Sequence, residues 1–489
     1  MSELTQRFLA RENDARIAVI DRNGSHAYAT LVRRARGVAA GLANEPGSHV
    51  AVLVETGVDF LAAFYGVLLG GRCAIVLTPI HPIAEIRYYV ADAEVKTVVS
   101  SEAMRSVSEQ LTDVVVRDVH ELAETAPAPP PVVAEGEAAC MLYTSGTTGR
   151  PKGAILTHEN LGLQQRLVGE AWGFHESDVL LHTLPLHHMH GLAIALLTAI
   201  GAGATVIMDS FDAVKVWERM SEATVFMGVP SMYHRLFAAV DGGKAPSAAA
   251  NARQLRLATS GSAALPVSLA ERWRELTGRI PLERFGMTEI GVGITNPLHG
   301  PRHAGHVGHP LPTQDTRIVD EHGNDAETGE LWIRGPSVFV GYHRRDAETR
   351  SAFVPASDGG RAWFRTGDTV TRAPDLEGNP FKILGRTSVD ILKSGGYKLS
   401  ALEIEEVLRR HDDVDDCAVV GIPDEAWGER VVACVQTHRE VTEEALRSFV
   451  REHLAPYKVP KQVLFFAELP RNALGKVVKP DLARLVMSR

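Results

Sequence analysis

Cysteine is scarce in this chain: four in 489 residues, Cys73, Cys140, Cys417 and Cys434, and none in a CxxC pair. That excludes a disulfide framework and a cysteine-rich zinc site and points to a reducing, cytoplasmic setting. Positive charge is also in deficit. Lys+Arg total 51 against 60 for Asp+Glu, a formal net charge of -9. A nucleic-acid partner gripped by a basic face is therefore not expected, although a local anion site is compatible with this balance. The opening stretch MSELTQRFLARENDAR has no apolar core for a signal peptide, and Glu3, Glu12 and Asp14 argue against a transit peptide. One uncharged run, GLAIALLTAIGAGATVIM at 191–208, reaches membrane length. Its small residues, with Gly201 and Gly203, predict a buried helix, a turn and a strand, so no membrane partner is expected.

What is present suits a large folded enzyme. The chain is 45% hydrophobic and 23% charged, enough for a sizeable core and more than one domain. HVAVLVE is followed by DFLAAFYGVLLGG, and CAIVLTP by IAEIRYYVADAE. This alternation predicts an α/β domain, its sheets flanked by helices. ETAPAPPPVVAEGEAA reads as a surface connector and GGKAPSAAAN as another exposed loop. After about Gly385 the texture becomes a compact α+β unit. SALEIEEVL opens with Ser400 and Glu403 in capping-box spacing, DDCAVVGIP and ERVVACVQTH read as strands, and TEEALRSFVREHL is a helix stopped by Pro456. The expected division is a large domain over 1–386 and a small mobile one over 387–489.

The stretch YTSGTTGRPKGA, from Tyr143, crowds hydroxyls and glycines around one lysine. It is not a Walker loop, because Pro151 precedes Lys152 and Gly153 follows it, where that motif needs glycine and then a hydroxyl. Its parts still suit phosphate. Gly146 and Gly149 let backbone amides face an anion, Thr144, Ser145, Thr147 and Thr148 add hydroxyls, and Lys152 adds charge.

With this string, FGMTEIG at 285, GELWIRGP at 329, WFRTGD at 363, GRTSVDILKSGGYKLSALEIEEVL at 385 and PRNALGKVVK at 470 follow in order. Nearly the whole chain thereby resembles the acyl-adenylate-forming enzymes: acyl-CoA synthetases, luciferases and adenylation domains. The resemblance implies a two-step ligase using ATP, Mg2+ and coenzyme A. A carboxylate attacks the α-phosphate to give an acyl-AMP and pyrophosphate, and a thiol then attacks the anhydride.

By that resemblance the loop from Thr144 to Lys152 holds phosphates, and Gly286 and Met287 line the nucleotide. Thr288 meets the α-phosphate, and Glu289 with Thr148 binds the metal. Asp368 takes the ribose hydroxyls, with Arg386 nearby. Lys476 bridges the attacking acid and the α-phosphate, and Lys393, Ser394, Gly395 and Gly396 line the thiol entry after the small domain rotates. The hinge departs from the usual pattern: Ser388 stands where an acid or lysine is common, and Asp390 is the alternative.

LPLHHMHGL, GVPSMYHRL and SGSAALP resemble the malonyl-CoA synthetases in particular. This implies a short dicarboxylate such as malonate or methylmalonate, with Arg235 clamping its free end and His190 and Ser262 in the pocket. A short- or medium-chain fatty acyl-CoA synthetase, a stand-alone adenylation enzyme loading a carrier protein and a non-catalytic nucleotide-binding relative are the competing readings. The oligomeric state is not legible.

Overall fold

The computed structural model describes residues 1–144, 151–395, 397–425, 427–472 and 476–489. Short runs such as Val225–Gly228 and Leu257–Ser260 are buried at every residue, as a parallel strand covered on both faces requires. Among the described residues they belong to a nine-stranded sheet. Its spatial order is His309–Pro310, Gly291–Thr295, Leu282–Met287, Leu257–Ser260, Val225–Gly228, Val179–His182, Thr205–Met208, Ile17–Asp21 and Gly24–Ala27. The run from Leu282–Met287 to Ile17–Asp21 is parallel throughout.

A second sheet runs Gly341–Tyr342, Lys152–Thr157, Ala138–Thr144, Cys73–Val76, His49–Leu53, Thr97–Ser100 and Val115–Asp118. The helix Val58–Leu69 is apolar on nearly every face and packs against strands of both sheets. All-round burial is the fate of a helix with that composition. His158–Ala171, opened by a capping box between Thr157 and Asn160, also touches both sheets.

The run of membrane length folds as expected from its glycines. A wide, π-helical segment His190–Leu197 leads into the helix Thr198–Ala202, Gly203 turns at φ +79, and the strand Thr205–Met208 follows. No helix among the described residues is long and apolar enough to cross a membrane. GGKAPSAAAN is the expected exposed loop only over 242–247. Ala248–Ala252 is helical, with Ala245, Ala248 and Ala252 buried and Asn251 Nδ2 donating to the Trp217 carbonyl at 3.0 Å. Alanines favour helix and are small enough to dock closely, which outweighs the loop-like flanks.

A third sheet joins Asp315–Val319, Thr328–Arg334, Trp363–Arg372 and Phe353–Val354, with Phe381–Arg386 paired to Trp363–Arg372. The chain leaves that sheet at Arg386 and enters the last one at Ile391. There Ile391–Ser394, Tyr397–Ser400, Gly428–Thr437, Val414–Asp424 and Gln462–Phe465 combine over a separate core that includes Ile404, Leu408, Leu446 and Val450. Ser400 caps the helix Ala401–Leu408 by accepting the Glu403 N–H at 3.2 Å. Glu403 does not complete the capping box, because its carboxylate pairs with Lys458 at 2.7 Å.

Candidate active site

Parallel strands deliver their carboxyl ends to one edge of a sheet, where open α/β sheets bind ligands. Three neighbouring strands end there at Gly228, Ser260 and Met287. The turn after Met287 carries Thr288 and Glu289. A Cβ on Gly286 would fall 2.0 Å from the Gly291 carbonyl oxygen, so the hairpin closes only with glycine. Met287 and Thr288 are half-buried beside it.

Glu289 is buried and accepts the Tyr342 hydroxyl on Oε1 at 2.8 Å. Burial raises its carboxyl, while the Tyr342 hydrogen bond and the charges of Arg386 and Lys152 pull it down. Lys152 lies opposite Thr144 across two antiparallel strands, and its Nζ is 5.3 Å from the Tyr342 ring centroid. Tyr342 thus ties the carboxylate to the lysine, a link that sequence spacing did not reveal. A buried carboxylate between such cations suits a hard cation shared with phosphate. Ser145, Gly146, Thr147, Thr148 and Gly149 lie outside the described residues, as does Gly396.

Asp368 and Arg386 are partners across two antiparallel strands, with Nε 3.2 Å from Oδ1. Asp368 is only 6% exposed, and its Oδ2 has no hydrogen-bond partner among the described residues. Burial lifts this carboxyl to about 6, although Arg386 and Lys476 pull the other way. A buried acceptor without a donor can receive a hydrogen bond from a ligand hydroxyl. Lys476 itself is exposed. Its segment is held by its N–H donating to Asn472 Oδ1 at 3.0 Å and its carbonyl accepting the Asn472 N–H at 2.9 Å. A lysine of the last unit is therefore within electrostatic reach of a carboxylate in the third sheet. Lys393, Ser394 and Gly395 sit at the turn between Ile391–Ser394 and Tyr397–Ser400, with Gly395 against Trp427. Ser388 is exposed, whereas Asp390 Oδ2 accepts the Arg386 N–H at 2.9 Å.

A second cluster lies at the strand ends. His190 Nδ1 is 3.1 Å from Ser262 Oγ, and its Nε2 has no partner among the described residues. Ser262 is held at φ +69, a strained backbone for a serine. Burial first, and then the Arg284 charge, holds the His190 ring neutral. His187 and His188 are likewise pushed down by burial, to about 3 and about 4, and form a neutral wall.

Arg284 is the residue that sequence reasoning missed. It is 5% exposed, and its Nε and Nη2 have no partner among the described residues. Burial lowers its pKa only to about 10, so it stays cationic at neutral pH. Its guanidinium lies on Gly261, where a Cβ would come within 2.4 Å of Nε. An uncompensated buried cation costs several kcal/mol unless an anion completes it, at roughly the scale of a lost buried ion pair. The legible signal was Glu283–Arg284, two adjacent charges inside the strand Leu282–Met287. Alternation points them to opposite faces, and both are buried there. Arg235, the expected clamp, is exposed on the helix Pro230–Asp241, 4.7 Å from the Phe211 ring centroid. No contact joins it to His190 or Ser262 among the described residues. Met232 and Tyr233 beside it are core residues, and the Tyr233 hydroxyl donates to the Thr259 carbonyl at 2.9 Å.

Known proteins share this fold. The AMP-binding enzyme family matches residues 6–343, and the AMP-binding enzyme C-terminal domain matches residues 403–476. The mouse protein named malonate–CoA ligase ACSF3, mitochondrial, is 40% identical, over 96% of this chain and 88% of its own. The ATP-bound MatB from Rhodopseudomonas palustris superposes with a TM-score of 0.91 at 32% identity, covering 99% of each chain. A malonyl-CoA ligase in a ternary product complex with methylmalonyl-CoA and AMP gives 0.69 at 33% identity, over 94% of this chain and 97% of that one.

Proposed function

The chain belongs to the AMP-binding enzyme family, and from that membership we propose that it is an AMP-forming ligase joining malonate to coenzyme A. The observation that carries the choice of acid is Arg284: a buried, unpartnered cation beside His190 and Gly261. One carboxylate of the acid pairs with that guanidinium, which leaves the other directed toward Thr288. A monocarboxylate offers nothing to the cation, so the same group that holds malonate rejects acetate. Arg284, rather than Arg235, is the clamp in this reading.

In the first half-reaction an oxygen of the free carboxylate forms a bond to the α-phosphorus of ATP while the bond to the pyrophosphate oxygen breaks. Thr288 and Lys476 stabilise the charge that develops on the α-phosphoryl oxygens, Lys152 that on the leaving phosphates, and Asp368 accepts hydrogen bonds from the ribose. When bound at Glu289, Mg2+ supplies charge neutralisation to the phosphates. In the second half-reaction the thiol sulfur of coenzyme A bonds to the acyl carbon, AMP departs with its oxygen and the thiol proton goes to solvent. Lys393, Ser394 and Gly395 carry that step once the unit after Arg386 has turned, which divides the chain into 1–386 and 387–489. The greater likeness to the ATP-bound relative than to the product complex supports reading the present arrangement as that of the first half-reaction. Four buried, free thiols support a reducing compartment, the cytoplasm.

The test is coenzyme A-dependent AMP release with malonate, methylmalonate, acetate and octanoate. Malonate is expected to exceed acetate in kcat/KM by on the order of a hundredfold, the scale of a buried charge pair. A preference for acetate or octanoate would overturn the assignment of the acid, and no AMP with any acid would overturn the ligase.

A further inference from the structure

The helix Lys479–Met487 begins three residues beyond Lys476, and its first side chain is buried between two carboxylates. Lys479 Nζ lies 2.5 Å from Asp390 Oδ1 and 2.6 Å from Glu405 Oε1. Both carboxylates are held further. Asp390 Oδ2 accepts the Arg386 N–H at 2.9 Å and the Asp390 carbonyl accepts the Ala401 N–H at 2.8 Å. Glu405 accepts the Val419 N–H at 2.8 Å and pairs with Arg409 at 3.2 Å. On the other side Arg386 reaches the Thr366 carbonyl at 2.8 Å and the Asp368 carboxylate at 3.2 Å. The Lys476 segment is closed on itself by the Val478 N–H donating to the Pro470 carbonyl at 2.9 Å.

A continuous path therefore runs from the Asp368 carboxylate through Arg386, Asp390 and Lys479 to the segment bearing Lys476. We propose that Lys479 is a positioning residue for the first half-reaction: by gripping Asp390 it registers Lys476 against the nucleotide edge at Asp368 and Arg386. Lys479 touches no substrate. Glu405 alone would keep its charge compensated inside the small unit, so the Asp390 contact adds registration across the junction. The polypeptide crosses that junction over only a few residues, from Arg386 to Ile391, and the Asp390–Arg386 hydrogen bond spans it. This inference rests on the adenylate-forming reading above; it assigns Lys479, which that reading does not use, and gives Asp390, the alternative hinge residue, a role in the first half-reaction.

Asp390→Asn is the cleaner probe, because it leaves the Lys479–Glu405 pair in place; Lys479→Met and Lys479→Arg accompany it. The readouts are malonate-dependent exchange of labelled pyrophosphate into ATP, and thioester formation from synthetic malonyl-AMP and coenzyme A. Asp390→Asn and Lys479→Met are expected to lower the exchange kcat by roughly a hundredfold, the scale of a displacement of about 1 Å at a reacting centre. KM for ATP and malonate is expected to stay within about threefold, as is thioester formation from malonyl-AMP, and Lys479→Arg to recover much of the exchange. Asp390→Asn with unchanged exchange overturns the proposal. So does an equal loss in both half-reactions, which a purely structural role would give. Absence of exchange by the unaltered enzyme with any acid would instead overturn the ligase reading and this one together.

Discussion

Arg386 Nε stands 3.2 Å from Asp368 Oδ1, and the two residues face each other directly across antiparallel strands. Arg386 is the last residue of its strand, so the same side chain that meets Asp368 also stands where the chain departs for the final unit. The charge of Lys476, from the last unit, works with that of Arg386 against the burial that raises the Asp368 carboxyl.

In the proposed mechanism Lys476 stabilises the α-phosphoryl charge, and replacing it by alanine removes that cation without altering any residue of 1–386. Malonate-dependent pyrophosphate exchange is expected to fall by at least about a hundredfold, in line with the loss of one preorganised donor to a developing charge. Thioester formation from supplied malonyl-AMP should stay near the wild-type rate. An equal decline in the two assays would show that the lysine is not reserved for the first step.

Arg284→Met removes the buried cation and fills most of its volume. Malonate kcat/KM is expected to drop by on the order of a hundredfold or more, with KM for ATP little changed. Acetate kcat/KM should hold steady or rise, since the unpartnered cation no longer penalises it. Arg235→Leu serves as the comparison and is expected to leave the malonate-to-acetate ratio unaltered. A ratio that collapses in Arg235→Leu and survives in Arg284→Met would move the clamp back to the exposed helix.

Glu283 points to the face opposite Arg284 and accepts the Gly305 N–H on Oε1 at 2.7 Å. Burial raises its carboxyl from 4.5 to about 8, with the nearby Glu406 carboxylate adding to the rise. Glu406, from the helix Ala401–Leu408, is itself raised by burial and accepts the Val267 N–H at 3.2 Å on each oxygen. A raised folded-state pKa means that the folded chain binds the extra proton. Its contribution to stability is complete below about 4.5 and disappears as pH climbs through about 8. Glu283→Gln keeps the acceptor for Gly305 and abolishes that titration. The difference in Tm between pH 6 and pH 8 is therefore expected to shrink in the variant, with the gain appearing at pH 8. An identical pH dependence of Tm in the two proteins would remove Glu283 from this account.

The residues proposed for the nucleotide could be named from the chain itself, because they stand in short strings. Glu289 follows Thr288 directly, and Asp368 stands in one tight strand. Local geometry presents such residues whatever the rest of the molecule does. The helix at 248–252 and the incomplete capping box at Ser400 were misjudged for the opposite reason. A burial contact with Trp217 in one case, and Lys458 in the other, supplied partners from distant sequence.

By itself the amino-acid sequence determined the alternation of strands and helices and the change of texture after about Gly385, since periodicity and turn chemistry act over a few residues. Only the tertiary structure showed that Arg284 is buried with Nε and Nη2 unpartnered among the described residues, and which side chains meet Lys479. Arg284 has that character because sheet and helices exclude water from it without providing a carboxylate. Asp390, Lys479 and Glu405 meet because packing brings together side chains up to 89 residues apart. Burial and long-range pairing belong to the assembled fold, and no local pattern encodes them.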